Sequence, residues 1–351
     1  MSLAAARSTA VAWDEFLLES PRGQFQQTSG WAQVKSREGW SAVREYLDPA
    51  EPRSGGFQLL WKHAKFTRIG YVSKGPVLPA ETAAAVDAAL ERVVSASRRL
   101  GLGAVVVQPP DDSLISSQML VRHGCFVQPV ESVIRATAIV SLEGGADDVV
   151  ARMSRSTREQ WRRARRERVT LAWGARGDLP EFFRLMCESA EHQGSPPNPG
   201  RVDLLEALWD ALPDRVSLAF AEHSGRKLAG WLMIGHGRRI SFWKKGWDSA
   251  EPRLFTSQFL TAECLAQASA AGYAAADMVA MSPDLAARLL AGEGRAEEHS
   301  RGRDVFNLRL GARPKLLPPA HLLVLNPALR GMAYAALRWQ RLRSVLESRV
   351  G

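Results

Sequence analysis

The chain has 351 residues, 46% of them apolar, and a formal net charge of +9. This length and composition predict about two globular domains, each large enough to bury a core, and exclude a transmembrane span because no stretch reaches the ~18 apolar residues required. Cys125, Cys187 and Cys264 are scattered singly, which indicates neither a disulfide framework nor a metal site.

The first part of the chain predicts alternating helices and strands. Amphipathic periodicity and caps predict helices at 11–20, 29–37, 80–100 and 116–123. Apolar alternation and turn residues predict strands at 42–47, 57–61, 68–73, 104–107 and 133–140. Together these elements predict an α/β unit with a largely antiparallel sheet.

The middle of the chain repeats its beginning. Segments 61–107 and 231–278 both run through an apolar strand, a Lys-Gly step, a proline-bearing loop, a long helix and a buried strand. Lys74 and Lys245 begin the two Lys-Gly steps and are 171 positions apart. A period this long indicates a duplicated domain, because solenoid repeats run only about 20–50 residues.

The second copy predicts the same order of elements from about Val169 onward. Helices are predicted at 180–193, 202–212 and 256–271, and strands at 216–222, 227–235, 239–245 and 274–279. We therefore predict an α/β (α+β) fold with domains at 1–145 and 146–314, and a segment at 315–351 that packs back on the first domain.

Arginines are concentrated between the two copies. The segment 152–168 contains eight of them, and an apolar stripe through Val149, Val150, Met153, Trp161 and Ala164 predicts a helix that docks on the protein. One interpretation is a solvated basic face. The other is a surface for polyphosphate or nucleic acid, because guanidinium groups bind phosphate oxygens in pairs.

The C-terminal segment at 327–350 has a helical apolar pattern surrounded by arginines. A basic amphipathic helix can rest on an anionic membrane. We favour packing against its own domain, because the arginines are not confined to one face.

Five motifs follow one another along the chain: FQQTSGWAQVKSREGW at 25–40, YVSKGPVL at 71–78, the basic segment at 153–174, the helix at 182–194 and VFNLRLG at 305–311. In this order they resemble the Fem family (FemA, FemB, FemX) of aminoacyl-tRNA-dependent aminoacyltransferases. The first is similar to the family's opening motif, the second to a strand end and the last to the closing strand motif. The resemblance covers about residues 11–330.

The resemblance implies two tandem GNAT-like acyltransferase domains packed across a channel. It also implies that an acceptor amine attacks the ester of an aminoacyl-tRNA donor to form an amide, without a cofactor. The implied acceptor is a phosphate-bearing cell-wall precursor or a peptide-like small molecule. We expect a cytoplasmic monomer, since the chain shows no secretory start, with peripheral membrane contact as an alternative.

The resemblance also implies site residues. Lys35, beside Trp31 in the opening motif, and Arg201 match positions that hold acceptor phosphates. Lys74 and Lys245 are further substrate-binding candidates, because they end equivalent strands. For each of them, an ordinary solvated basic residue is the alternative. The tRNA-binding candidates are Arg158, Arg162, Arg163 and Arg166.

Two departures from the family pattern affect the chemistry. Gln108 stands where an acidic residue is usual, and an amide does not accept a proton as a carboxylate does. Asp111, three residues on, is the substitute candidate, with a turn role as its alternative. Asn307 stands where the closing motif usually has lysine, and Arg309 would lie on the same side of a strand. We predict Asp111, Asn307 and Arg309 as catalytic candidates.

Two rival functions remain at this level. The first is an acyl-CoA N-acyltransferase, since the fold is shared. Such enzymes hold pyrophosphate on a glycine-rich loop at a helix N-terminus, and neither KGPVLPAETAA nor KGWDSAEPRLFTSQF has the glycine pair. The second is a non-catalytic protein that binds tRNA or a precursor, which Gln108 and Asn307 would suit.

Overall fold

The computed structural model describes residues 3–127, 133–293, 302–327 and 330–331, with side chains from residue 9 onward. The chain divides into two compact units. The first comprises Met1–Val133 with Leu317–Gly351, and the second comprises Ile134–Leu316. Most of the helix predicted at 327–350 lies outside the described residues.

The described helices and strands alternate along the chain. The helices are α1 (Leu3–Glu19), α2 (Ser29–Ser36), α3 (Ala83–Arg99), α4 (Ser117–Arg122), α5 (Ala146–Arg152), α6 (Arg155–Arg166), α7 (Leu179–His192), α8 (Val202–Ala211), α9 (Thr256–Ala270), α10 (Pro283–Leu290) and α11 (Arg303–Arg309). The strands are β1 (Ser41–Asp48), β2 (Glu51–His63), β3 (Arg68–Ser73), β4 (Leu102–Gln108), β5 (Cys125–Val127), β6 (Ala136–Ser141), β7 (Thr170–Gly174), β8 (Val216–His223), β9 (Arg226–His236), β10 (Arg239–Trp247), β11 (Ala275–Asp277), β12 (Arg313–Leu316) and β13 (His321–Val324).

The first unit is built on a six-stranded sheet in the order β1-β2-β3-β4-β13-β5. Its pairs are antiparallel apart from β3 with β4, which run parallel and are connected through α3. The buried face of α3 includes Val86, Leu90 and Val93, which join Leu59 and Val105 of the sheet in one hydrophobic core. This burial holds the helix against the strands.

The second unit repeats this arrangement in a seven-stranded sheet ordered β12-β6-β11-β10-β9-β8-β7. Here β10 and β11 form the parallel pair, connected through α9, and the remaining pairs are antiparallel. The sequence β9-β10-α9-β11 therefore corresponds to β2-β3-α3-β4. The predicted α/β (α+β) fold and the predicted duplication agree with these two sheets.

Strand β6 differs from the sequence prediction, which assigned it to the end of the first domain. It lies in the second sheet, between β11 and β12. Its inward residues Ala136, Ala138 and Val140 belong to the core of the second unit. The sequence predicted the strand itself, but its sheet depends on partners more than 130 residues away.

Two further segments differ from prediction. The basic segment at 152–168 forms two helices, because Ser154 begins α6 as an N-cap and its Oγ accepts the Thr157 N–H at 3.2 Å. The closing motif forms helix α11 instead of a strand. Residues two apart on a helix lie on nearly opposite sides, so Asn307 and Arg309 do not share a face.

Candidate active site

Lys74 and Asp111 meet at the end of the parallel strand pair in the first unit. The Lys74 Nζ lies 2.7 Å from Asp111 Oδ1, and the exposed fractions of the two side chains are 8% and 4%. Both sequence-predicted site residues are thus held in one buried ion pair. Either one must give up this partner before it can bind substrate or accept a proton.

The opening motif holds the strand end that carries Lys74. Gln27 is fully buried; its Nε2 donates to the Ser73 carbonyl at 2.5 Å, and its Oε1 accepts the Gln58 N–H at 2.7 Å. A Cβ at Gly75 would lie 2.9 Å from the Gln27 carboxamide, so the glycine permits this close approach. The geometry of strand and loop here therefore depends on Gln27 of the motif FQQTSGW.

Gln108 has a structural role in the same region. Its side chain is buried, and its Nε2 donates to the Pro318 carbonyl at 3.1 Å. The Tyr71 hydroxyl lies 3.5 Å from Gln108 Oε1. A carboxylate could not donate to the Pro318 carbonyl, which explains why an amide suits this position and why Gln108 is unsuited to act as a base.

The predicted phosphate-binding residues lie at accessible positions. Lys35 on α2 pairs with Glu38, and its Nζ lies 5.7 Å from the centre of the Trp31 ring. Arg201 precedes α8, pairs with Asp203, and has a side chain that is 66% exposed. Lys35 and Trp31 belong together on one helix of the first unit, and Arg201 belongs to the second unit.

Lys245 of β10 lies in an aromatic cage formed by Trp231, Trp247 and Phe306. The distances from its Nζ to the three ring centres are 5.5, 5.6 and 4.0 Å. Trp231 is its cross-strand partner on β9, and Phe306 comes from α11. Strand β10 continues two residues past Lys245, to Trp247, so this lysine lies within the strand and not at its end.

The cage changes the acidity of the lysine. Burial of the amine lowers the pKa of Lys245 to about 7, because removal from water disfavours the charged form. Lys245 is nevertheless intermediate in exposure, so its side chain keeps partial solvent access. Nearly neutral pH therefore leaves a substantial fraction of Lys245 unprotonated.

The other two catalytic candidates, Asn307 and Arg309, lie on different sides of helix α11. Asn307 is 2% exposed, and its Nδ2 has no hydrogen-bond partner among the described residues. Arg309 is exposed in the last turn of the helix. The suggestion that Arg309 replaces the missing lysine across one strand face is wrong, because the segment is helical.

The predicted tRNA-binding arginines divide into two groups. The Arg158 Nη1 donates to the Ala151 carbonyl at 2.8 Å and to the Met153 carbonyl at 2.5 Å, so it caps the end of α5. The guanidinium of Arg163 lies 5.5 Å from the Phe255 ring centre and near Glu167. Arg162 and Arg166 are exposed, lie one turn apart, and contact no acidic side chain in the described part of the chain.

The aromatic cage was not predicted from the sequence. One signal was available, because Lys245 and Trp247 are two residues apart on a predicted strand and so share a face. The contribution of Phe306 could not be found this way, since it comes from a helix about 60 residues further along the chain.

Two features do not occur within 3–127, 133–293, 302–327 and 330–331. No helix there is both long and apolar enough to cross a membrane. No group of three or more His, Cys, Asp and Glu side chains in these ranges is arranged to hold a metal ion.

Known proteins are similar to this chain in both fold and sequence. A family model described as "Acetyltransferase (GNAT) domain" matches residues 151–285. The crystal structure of FemX superposes with a TM-score of 0.77 at 16% identity, covering 92% of this chain and 98% of that one. At this identity, the likeness shows the fold alone.

Two curated relatives have similar sequences. The UDP-N-acetylmuramoylpentapeptide-lysine N(6)-alanyltransferase of Weissella viridescens is 25% identical over 256 residues, which cover 67% of this chain and 73% of that protein. The Lipid II:glycine glycyltransferase of Staphylococcus aureus (strain MRSA252) is 24% identical over 212 residues, or 57% of this chain. The match spans half the length of this second relative.

Proposed function

We propose that this protein, a homologue of the Fem-type transferases with two GNAT-like domains, moves an amino acid from aminoacyl-tRNA to an amine of a cell-wall precursor. The observation that carries the proposal is the similarity to the alanyltransferase of Weissella viridescens across 67% of the chain. A cytoplasmic site of action would fit, because charged tRNA is found there. A peptide-like amine acceptor is the other substrate class that this chemistry accommodates.

The reaction makes limited chemical demands on the protein. An aminoacyl ester is already activated, so the enzyme mainly has to orient two substrates, accept a proton from the attacking ammonium and stabilise the developing oxyanion. Lys245 and the polar side chains of α11, including Asn307, are the groups of the second unit that suit this work. Asp111 would contribute only after release from Lys74.

Phosphate groups of the acceptor would bind at solvent-accessible cations, of which Lys35 is partly exposed and Arg201 exposed. Lys35 and Arg201 each pair with a nearby carboxylate in an accessible setting. Exposed pairs of this kind contribute only about 0–1 kcal/mol. Exchange of Glu38 or Asp203 for a phosphate would therefore cost little, and this supports both residues as acceptor-binding positions.

For the tRNA donor, the exposed side of α6 is the proposed surface. Arg162 and Arg166 project at neighbouring positions without an acidic partner among the described residues, so both guanidinium groups are available to phosphates. Arg158 is bound to carbonyls at the end of α5, so we assign it to holding the helix in place. Arg163 would contribute from the edge of the same surface.

Charge reversal of both exposed arginines tests this surface. We expect Arg162→Glu with Arg166→Glu to weaken tRNA binding roughly tenfold and to lower the slope of log affinity against log salt by about two, because two phosphate contacts are lost. Filter binding over a salt series measures both quantities. The control is Arg98→Glu with Arg122→Glu, which changes the net charge equally at two exposed positions of the first unit. An equal loss in both variants would mean that only net charge matters.

An acyl-CoA-dependent acyltransferase is the alternative, and the description of the matching domain as an acetyltransferase favours it. The loop before α9 argues against it. That loop contains no glycine between Trp247 and Phe255, and Pro252 lacks an N–H to donate to a pyrophosphate. Phe255 occupies the N-cap of α9 with a φ of +51°, so an aromatic residue stands at the helix N-terminus that would have to approach the pyrophosphate.

Donor identity is the decisive test of function. Labelled amino acids would be followed from a mixed pool of charged tRNAs, and labelled acyl groups from matched acyl-CoA donors, to a panel of amine acceptors. We expect transfer from tRNA that is abolished by ribonuclease. Transfer from CoA alone would establish the alternative function, and binding of tRNA without transfer from either donor would indicate a non-catalytic protein.

A further inference from the structure

Lys245 differs from other lysines of the chain in what surrounds its amine. Three aromatic rings enclose Nζ at 4.0–5.6 Å, and no hydrogen bond or ion pair to it occurs within the described residues. The side chain nevertheless keeps partial solvent access. Lys245 is thus a partly accessible lysine that no carboxylate of the described residues neutralises.

Charged groups on the elements packed against β10 are bound elsewhere or exposed. The bound groups are Lys227 with Asp178, His236 with Arg215, Glu181 and Glu188 with Arg184, Asp277 with Thr137, Glu263 with Trp161, and Asp304 with Ser282 and Arg303. Arg309 of α11 is exposed. Burial is accordingly the cause of the lowered pKa of Lys245, with no neighbouring charge contributing.

The equivalent lysine of the first unit has different surroundings from those of Lys245. Lys74 lies 171 positions earlier and is paired with Asp111 at 2.7 Å. The residue 171 positions beyond Asp111 is Ser282, whose Oγ accepts the Leu285 N–H at the start of α10. The carboxylate that neutralises the first lysine thus has no equivalent beside the second.

We propose that Lys245 is the general base of the transfer reaction, taking a proton from the ammonium group of the acceptor. This inference rests on the proposed function. The acceptor ammonium gives one proton to the neutral Lys245 amine, and the neutral acceptor amine that results attacks the ester carbonyl. The new C–N bond replaces the ester C–O bond, and the second proton of the nitrogen leaves with the ribose oxygen as a hydroxyl group.

The aromatic cage suits both the neutral Lys245 that accepts the proton and the protonated Lys245 that results. A base whose pKa lies near the working pH combines a large unprotonated fraction with sufficient basicity. Once Lys245 is protonated, the faces of Trp231, Trp247 and Phe306 stabilise the ammonium. The proton then passes to solvent, which the partial accessibility of the side chain permits.

Two substitutions of Lys245 distinguish a role as a base from a role as a fixed positive charge. Arginine keeps the positive charge but does not deprotonate, and methionine keeps the length without either property. We expect Lys245→Met and Lys245→Arg both to lower the single-turnover transfer rate by about 10²–10⁴-fold. Lys244→Met on the same strand is the matched control, with an unchanged rate expected. A Lys245→Arg rate within a few fold of the wild type would overturn the proposal.

The pH profile provides a second test. The neutral form of Lys245 is the active one, so the wild-type rate should rise with pH to an inflection near 7 and then level off. In Lys245→Met, the rate should keep rising toward the ordinary pKa of an alkyl amine, about 10.4. A wild-type profile without the inflection, or a variant profile that keeps it, would overturn the assignment of Lys245 as the base.

A titration in the free protein separates this inference from the proposed function. Lysine Cε resonances of ¹³C-labelled protein should contain one that titrates near pH 7 and is missing in Lys245→Arg. Titration of Lys245 near 10 would overturn the base role whichever donor is used. Transfer from acyl-CoA alone would overturn the tRNA-dependent function but not the base role, because amide formation from a thioester removes the same proton. A wild-type protein inactive with both donors would overturn both.

Discussion

Replacement of Asp111 by asparagine is expected to lower the free energy of unfolding by about 3–5 kcal/mol, because it leaves the Lys74 ammonium buried without a counter-charge. The two side chains are 8% and 4% exposed and lie 2.7 Å apart. Loss of one partner removes the attraction but not the cost of taking the other charge out of water. Urea unfolding, fitted with separate transitions for the two units, would measure the change.

Two further variants determine whether burial of the ion pair causes the expected loss of stability. Asp203→Asn breaks an exposed pair with Arg201 and should cost at most about 1 kcal/mol. Lys74→Met combined with Asp111→Leu removes both charges and should recover most of the lost stability. Equal, small effects of Asp111→Asn and Asp203→Asn would mean that water reaches the Lys74 pair and that both groups are free for chemistry.

Gly246→Ala should be the most disruptive single-methyl change beside the aromatic cage. A Cβ at this position would lie 2.6 Å from the Leu185 carbonyl carbon and the Met186 nitrogen, closer than real Cβ contacts. Strand β10 or helix α7 must then shift, which typically costs about 1–3 kcal/mol. Because Lys245 is the preceding residue, we also expect a fall of about 10²-fold in transfer rate, the effect of roughly 1 Å of misplacement.

Gly177→Ala is the matched control for that change. Gly177 lies in the turn before α7, and a Cβ there would meet nothing within 4 Å. We expect its melting temperature and transfer rate to match those of the wild type. A Gly246→Ala protein that melts and transfers as well as Gly177→Ala would show that α7 yields without moving Lys245.

The two Lys-Gly steps show which features could be predicted from the sequence and which could not. Their spacing of 171 residues predicted equivalent positions in two copies, and the parallel pairs β3/β4 and β10/β11 agree with that duplication. The environments of the two lysines were not predictable. Asp111 reaches Lys74 from a loop, whereas Phe306 reaches Lys245 from a helix. Both contacts depend on how distant elements pack.

The sequence by itself determined the duplication, the order of most helices and strands, and the concentration of arginines before the second copy. These features are local, because periodicity, caps and spacing act over a few residues. Only the tertiary structure decided that β6 joins the second sheet, that β13 inserts beside β4, and that α11 is a helix. It also left one of two equivalent lysines paired and the other in an aromatic cage, since strand partners and burial are set by contacts between residues far apart in the chain.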